Sequence, residues 1–273
     1  MDNTLFKNPQ FNPEQFRQDM KLHGPARTYV IFFTPRSGSS WLTEILTKSG
    51  YLGIPEEWLN PNFIPNTSKV VNSDSIANYI KMLKRKRQKG GTFGIEMTYF
   101  QYKRSFLNDS EFSTLFPSGT KFFYLVRKDI VSQAVSLAKA VATGVYHSAN
   151  ADELKIEKAN EDFKYDKKDI EKWLRHILSM EQGNEELFAR LGIEPYRICY
   201  EDMTTKGAVA TVKFFERSIG ISKDLENDIA TSHRKIGTEK NSLFAEAFRR
   251  DRISFLRSIE KEREVRLSSL SSI

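Results

Sequence analysis

The sequence predicts a three-layer α/β domain built on a mostly parallel central sheet. Three observations carry this. Short β-branched and aromatic runs alternate with longer stretches of helical periodicity, an order that builds a parallel sheet covered by helices. The first run, Thr28–Phe33, is apolar without alternation, as in a strand buried on both faces. A turn of small residues, Thr34–Ser40, then leads from that strand straight into a helix.

In that helix Trp41, Leu42, Ile45 and Leu46 share one face, and Gly50 ends it. Residues 53–70, rich in Pro and Asn, read as loop. A helix over about 73–86 follows, then a second strand over 91–98 and a third over 121–126 that stops at Arg127. Helical signals occupy 130–143. Residues 148–168 are charged and poor in large apolar side chains, the pattern of a mobile segment or lid. A long amphipathic helix spans 168–191, with Ile170, Trp173, Leu174, Ile177 and Met180 on its apolar face and Gly192 closing it. The fourth strand is 196–200, a helix covers 209–219 before Gly220, and 240–266 is charged and helical. No repeat or linker interrupts this order, so 1–273 reads as one domain with a polar N-terminal extension over 1–27.

A chain of 273 residues buries a sizeable core without disulfides or metal. Its single cysteine, Cys199, excludes a disulfide framework and any cysteine pair for zinc or redox work, which points to a reducing compartment. The first 27 residues lack the apolar core of a secretory signal, and no apolar run reaches membrane-spanning length. The expectation is a cytoplasmic protein with no integral membrane segment. A net charge of +7 favours anionic ligands without choosing among them. The densest basic run, Lys81–Lys89, continues the pattern of Ile76, Ile80 and Leu83 and stops at Gly90-Gly91. It reads as a solvated helix end whose cations suit the dipole, and it lacks the flanking aromatic or Gly-rich readers of a nucleic-acid binder.

The turn after the first strand is where chemistry concentrates. Amides at a helix start, helped by the dipole, form an anion site. Ser37, Gly38, Ser39 and Ser40 offer hydroxyls and unhindered backbone, and Arg36 adds a cation. The nucleotide-hydrolase pattern is absent, since no Gly precedes Pro35 in the turn and no Lys follows Gly38. A kinase or other phosphotransferase remains the alternative reading, though it would want that lysine and a metal-binding aspartate at a strand end.

Thr34-Pro-Arg-Ser-Gly-Ser-Ser-Trp-Leu42 resembles the 5′-phosphosulfate loop of sulfotransferases that use 3′-phosphoadenosine 5′-phosphosulfate (PAPS). Tyr124-Leu-Val-Arg-Lys-Asp-Ile-Val-Ser-Gln-Ala-Val-Ser136 resembles their 3′-phosphate motif. Together with Gly53-Ile-Pro-Glu-Glu-Trp58 and Tyr200-Glu-Asp-Met203, the order is similar to that of the bacterial trehalose 2-sulfotransferase group. Pro35 stands where that group has a glutamine, and 60–68 differs, so the resemblance reaches the donor site further than the acceptor.

The resemblance implies a sulfotransferase fold, PAPS as donor, its desulfated product PAP, and no metal. It implies that Arg36, Ser37, Gly38, Ser39, Ser40 and Trp41 surround the phosphosulfate, with Arg36 also stabilising the leaving group. Arg127 and Ser136 would hold the 3′-phosphate, Ser132 one turn earlier would share that role, and Tyr200 would contact adenine. Glu57 is the implied general base, with Trp58 as its apolar wall, Glu96 in reserve and Glu56 in solvent. His176 is expected in packing or at the surface. His233-Arg234-Lys235-Ile-Gly237 resembles a basic loop that closes over the nucleotide in eukaryotic members. The acceptor would be a small molecule, glycan or glycolipid bearing a hydroxyl. Kinship with the trehalose-type enzymes implies a homodimer.

Overall fold

The computed structural model describes residues 5–146, 152–223, 229–232 and 237–273. Four strands, β1 (Arg27–Phe33), β2 (Thr92–Met97), β3 (Lys121–Val126) and β4 (Tyr196–Cys199), form one parallel sheet in the order β2-β1-β3-β4. Strand β1 pairs on both edges, with Ile31 opposite Glu96 of β2 and Phe32 opposite Tyr124 of β3. The chain leaves β1 in one direction to reach β2 and lies on the other side of β1 in β3. This reversal opens a crevice at the carboxyl ends of β1 and β3, the place where open α/β sheets take ligands.

Helices cover both faces. Tyr29, Ile31 and Phe33 of β1 pack, with Phe123 and Leu125 of β3, against α2 (Ser39–Lys48) and α10 (Tyr200–Ile219). Phe123 stacks on Phe215 of α10 with ring centroids 4.1 Å apart. On the opposite face Val30, Phe32, Tyr124 and Val126 meet α4 (Ile76–Lys86), α5 (Tyr99–Ser105), α6 (Asp109–Leu115) and α9 (Lys167–Leu191). Each large side chain so buried contributes roughly 1.5–3 kcal/mol. A third apolar cluster joins α7 (Ile130–Thr143) to α9, α11 (Glu239–Asp251) and α12 (Ile253–Ser268).

Several elements depart from expectation for local reasons. The N-terminal extension contains α1 (Pro13–Asp19), capped by the Asn12 side chain, while Phe6 lies in the same core cluster as β1. The 53–70 stretch ends in α3 (Ile64–Val71), where Pro65 fits the first turn and Ile64, Ser68 and Val71 are buried along one side. Short helices α5 and α6 were not anticipated. Each is started by a cap, a Thr98–Gln101 capping box and the Asn108 side chain. Within the expected lid, Glu153–Asp162 form α8, capped by Asp152; residues 148–151 lie outside the described residues. Helix α10 begins at Tyr200, well before residue 209, and kinks at Gly207.

The basic run is not a solvated helix end. Lys86 pairs with Asp19 of α1, Arg85 donates to the Met20 carbonyl, Arg87 lies over Trp58, and Lys84 reaches the Leu115 carbonyl beside Phe116. Burial pulls the Lys84 amine down to about 8. These cations fasten α4 to its neighbours. No helix among the described residues is long and apolar enough to cross a membrane.

Candidate active site

The crevice at the ends of β1 and β3 deepens into a cavity of about 1040 Å³. Its floor is the turn Thr34–Gly38. Arg36 there has φ +66°, a left-handed conformation that costs a non-glycine residue of order 1 kcal/mol and persists only when surroundings enforce it. They do so here: Gln133 Nε2 donates to the Pro35 carbonyl at 2.8 Å, and Arg127 donates to the Arg36 carbonyl at 3.2 Å. Gly38, at φ +90°, caps α2 without a side-chain hydrogen bond to the first-turn amides, and no acidic residue stands in that turn. Gly38, Ser39, Ser40 and Trp41 line the cavity, which sets the start of α2 at its wall. An alanine at 38 would place its Cβ 2.4 Å from the Tyr200 ring, so only glycine lets that ring settle over the turn.

Two segments about ninety residues apart brace one another. Arg36 Nε donates to Ser136 Oγ at 3.0 Å, and its outer nitrogen reaches the Tyr146 carbonyl. Burial, then the adjacent Arg127 charge, pulls the Arg36 guanidinium below its usual range. Two cations held this close are relieved by a bound anion. Arg127 lies 4.7 Å over the Tyr200 ring, and its Nε, 3.7 Å from Glu201, is a buried donor with no hydrogen-bond partner. Ser136 accepts from Arg36 and keeps its own proton to donate. Ser132 instead donates to Asp129 at 2.6 Å, and Asp129 also caps α7 and pairs with Arg249. Thus Ser136 is ready to donate to an anion, whereas Ser132 would first have to release Asp129.

Of the residues singled out from sequence, Arg36, Gly38, Ser39, Ser40 and Trp41 line the cavity on the first motif's side. Arg127, Ser132, Ser136 and Tyr200 line it on the second. Ser37 does not; it is fully buried beneath the turn, its hydroxyl without a hydrogen-bond partner. Of the expected basic closing loop, residues 233–236 lie outside the described residues, and Gly237 lines the cavity.

Glu57 lines the same cavity from the connection between β1 and β2. That connection is tied down at several points. Tyr29 donates to the Leu52 carbonyl at 2.6 Å, its ring passing over β2 at Gly94, where any Cβ would collide with it. Thr43 donates to the Pro55 carbonyl and Tyr79 to that of Trp58. The Glu57 carboxylate accepts from Gln101 at 2.8 Å and Asn60 at 3.3 Å. Burial lifts its pKa above the ordinary carboxylate range, and these two donors hold the rise in check. Trp58 is not its wall. Neighbouring residues of the turn point apart, and Trp58 joins the core under Arg87. The apolar side comes instead from Trp41, Phe63 and Phe100. His176, expected in packing or at the surface, packs with its ring stacked on Phe100 at 5.2 Å and also lines the cavity. Burial and then Lys172 lower its pKa.

Glu96 is sealed in β2, 3% exposed, and does not line the cavity. Burial, reinforced by the Glu57 charge, raises its pKa far above that of a free carboxylate, and its Oε2 has no hydrogen-bond partner. A protonated folded state fixes the sign of its pH effect. Stability is fully present below the ordinary glutamate pKa and is lost as pH rises toward the raised folded value. Glu96→Gln should therefore gain on the wild type by about 1.4 kcal/mol per pH unit through that window, read as a widening difference in Tm. A difference that does not change with pH would mean Glu96 is ionised in the fold.

Fold and lining together describe an α/β enzyme that handles an anion at the carboxyl edge of its sheet. A family model of the Stf0 sulphotransferases matches residues 28–251, and the chain belongs to that family, whose members transfer sulfate. No curated protein matches it significantly.

Proposed function

We propose that the chain transfers a sulfuryl group from PAPS to a hydroxyl of a carbohydrate-like or other small acceptor, with Glu57 as general base. The observation that carries this is the bracing of the two anion-facing segments. The N-terminus of α2 and Arg36 stand on one side, Arg127 and Ser136 on the other, within one cavity. A nucleotide phosphorylated at both 3′ and 5′ positions needs two such ends. Tyr200, beside both, suits a nucleobase or ribose edge.

In the reaction, Glu57 takes the proton of the acceptor hydroxyl as its oxygen bonds to sulfur. The bond from sulfur to the bridging phosphate oxygen breaks, and PAP departs with the electron pair. Arg36 and the α2 amides meet the charge that grows on that oxygen, which favours the transition state over the bound donor. Phe63 and Phe100, both exposed at the mouth, with the amides of Asn60, Asn62 and Gln101, suit an acceptor with a flat apolar face and several hydroxyls. The same reading takes residues 1–273 as one domain, since Phe6, Leu267 and Leu270 meet in a single core cluster. It also takes the protein as cytoplasmic, and kinship with trehalose-type enzymes supports a homodimer.

Calorimetry with PAP and AMP, combined with transfer of labelled sulfate from PAPS to hydroxylated acceptors, tests the reading. PAP should bind well ahead of AMP. Equal affinities would remove the 3′-phosphate site. Arg127→Ala should weaken PAP by about 1.5–3 kcal/mol, the worth of a charge-assisted contact and roughly 10- to 150-fold in Kd. An unchanged Kd would take Arg127 out of the site.

A further inference from the structure

The C-terminal helix α12 begins beyond the residues that the family model matches, yet it reaches the donor end of the cavity from behind. Its Arg263 is 3% exposed and has its guanidinium spread over four bonds. Two go to Glu181 of α9, from Nε at 2.8 Å and from one outer nitrogen at 2.9 Å. The others go to main-chain carbonyls, those of Lys128 at 3.0 Å and Arg127 at 2.6 Å. Glu181 is 1% exposed and also accepts from Arg266 at 3.1 Å.

Such a buried group is weak evidence for stability alone, because removing two charges from water offsets most of their attraction. What it holds is more informative. Arg127 and Lys128 are the first residues past β3, and Asp129 after them caps α7. Arg263 fixes the peptide planes of that turn from one side, while Glu201 accepts the Lys128 and Asp129 amides from the other. Clamped on both sides, the turn sets the direction of the Arg127 side chain and the start of the helix that carries Ser136. A flat fork with several donors meets two carbonyls and a carboxylate together; a lysine amine has no such geometry.

We infer that Arg263 is a positioning residue for the nucleotide's 3′-phosphate, acting through the backbone of Arg127 and Lys128 and anchored by Glu181. This rests on the proposed role of Arg127 and Ser136. Loss of the clamp should disturb recognition of the 3′-phosphate more than that of the 5′ end, which the α2 N-terminus and the Gln133 bond also hold and which Arg127 reaches only through the Arg36 carbonyl.

The test is the ratio of PAP to AMP affinity, measured by calorimetry on the full-length protein, with KM and kcat for PAPS beside it. Arg263→Lys keeps the charge opposite Glu181 but loses the fork. The double variant Arg263→Met/Glu181→Met removes both buried charges while Arg266 keeps Glu262, and so provides a second comparison should a single change leave Glu181 with Arg266 alone. Both should lose about tenfold or more in PAP affinity with a clearly smaller loss for AMP, and KM for PAPS should rise more than kcat falls. A wild-type preference for PAP that survives in both variants would overturn the role of Arg263 alone. Equal loss for PAP and AMP would reduce it to general packing. A wild type with no preference for PAP would remove the underlying assignment of Arg127 and Ser136, and this inference with it.

Discussion

Glu57→Gln is expected to lower turnover by about 10²- to 10⁴-fold while PAP binds as before, since a positioned base contributes on that scale. The amide keeps the size and reach of the carboxylate, so Gln101 and Asn60 still have an oxygen to donate to. Only the capacity to take a proton is lost. The wild-type profile carries a second signature. Burial raises the Glu57 pKa, so kcat/KM should climb with pH along an acid limb displaced upward from that of an ordinary glutamate. In the variant that limb should vanish. Turnover within a few-fold of wild type would require another base, and His176, lining the same cavity, would be the first to examine.

Arg36→Gly should cost about 10²- to 10³-fold in kcat, the scale on which one donor to a developing oxyanion acts. Glycine is the informative replacement because the position sits at φ +66°, where alanine would keep the strain and glycine relieves it. Whatever is lost then belongs to the guanidinium. The Tm of the variant separates that loss from collapse of the turn, and AMP affinity reads what Arg36 and α2 together give the 5′ end before turnover. A kcat near that of the wild type would show that the amides alone carry the charge of the leaving group.

The sheet was legible because strands buried on both faces appear as unbroken apolar runs, as in Thr28–Phe33 and Lys121–Val126. Helices α3, α5 and α6 were not, since each buries only two or three side chains; α5 and α6 start at side-chain caps, and α3 has none. The anion-facing turn stood out because its small residues and arginine are contiguous. The opposite wall did not, because Asn60, Phe63, Phe100, Gln101 and His176 come from three separate stretches that meet only in the fold. One sign was available: Thr98 and Gln101 have capping-box spacing directly after a strand, which places Phe100 at a carboxyl edge. The side chains of Lys81–Lys89 misled for the converse reason. Their partners, Asp19, Met20 and Leu115, lie far off in sequence.

Donor and acceptor ends of the cavity descend from different crossovers. Arg36, Arg127 and Ser136 hang from β1 and β3, whereas Glu57, Asn60 and Phe63 ride the excursion toward β2, and Gln101 follows β2 itself. On the proposed reading, foreign segments grafted over 61–63 and 99–100, retaining Glu57 with its donors Asn60 and Gln101, would change the acceptor and leave the proposed nucleotide half of the molecule alone.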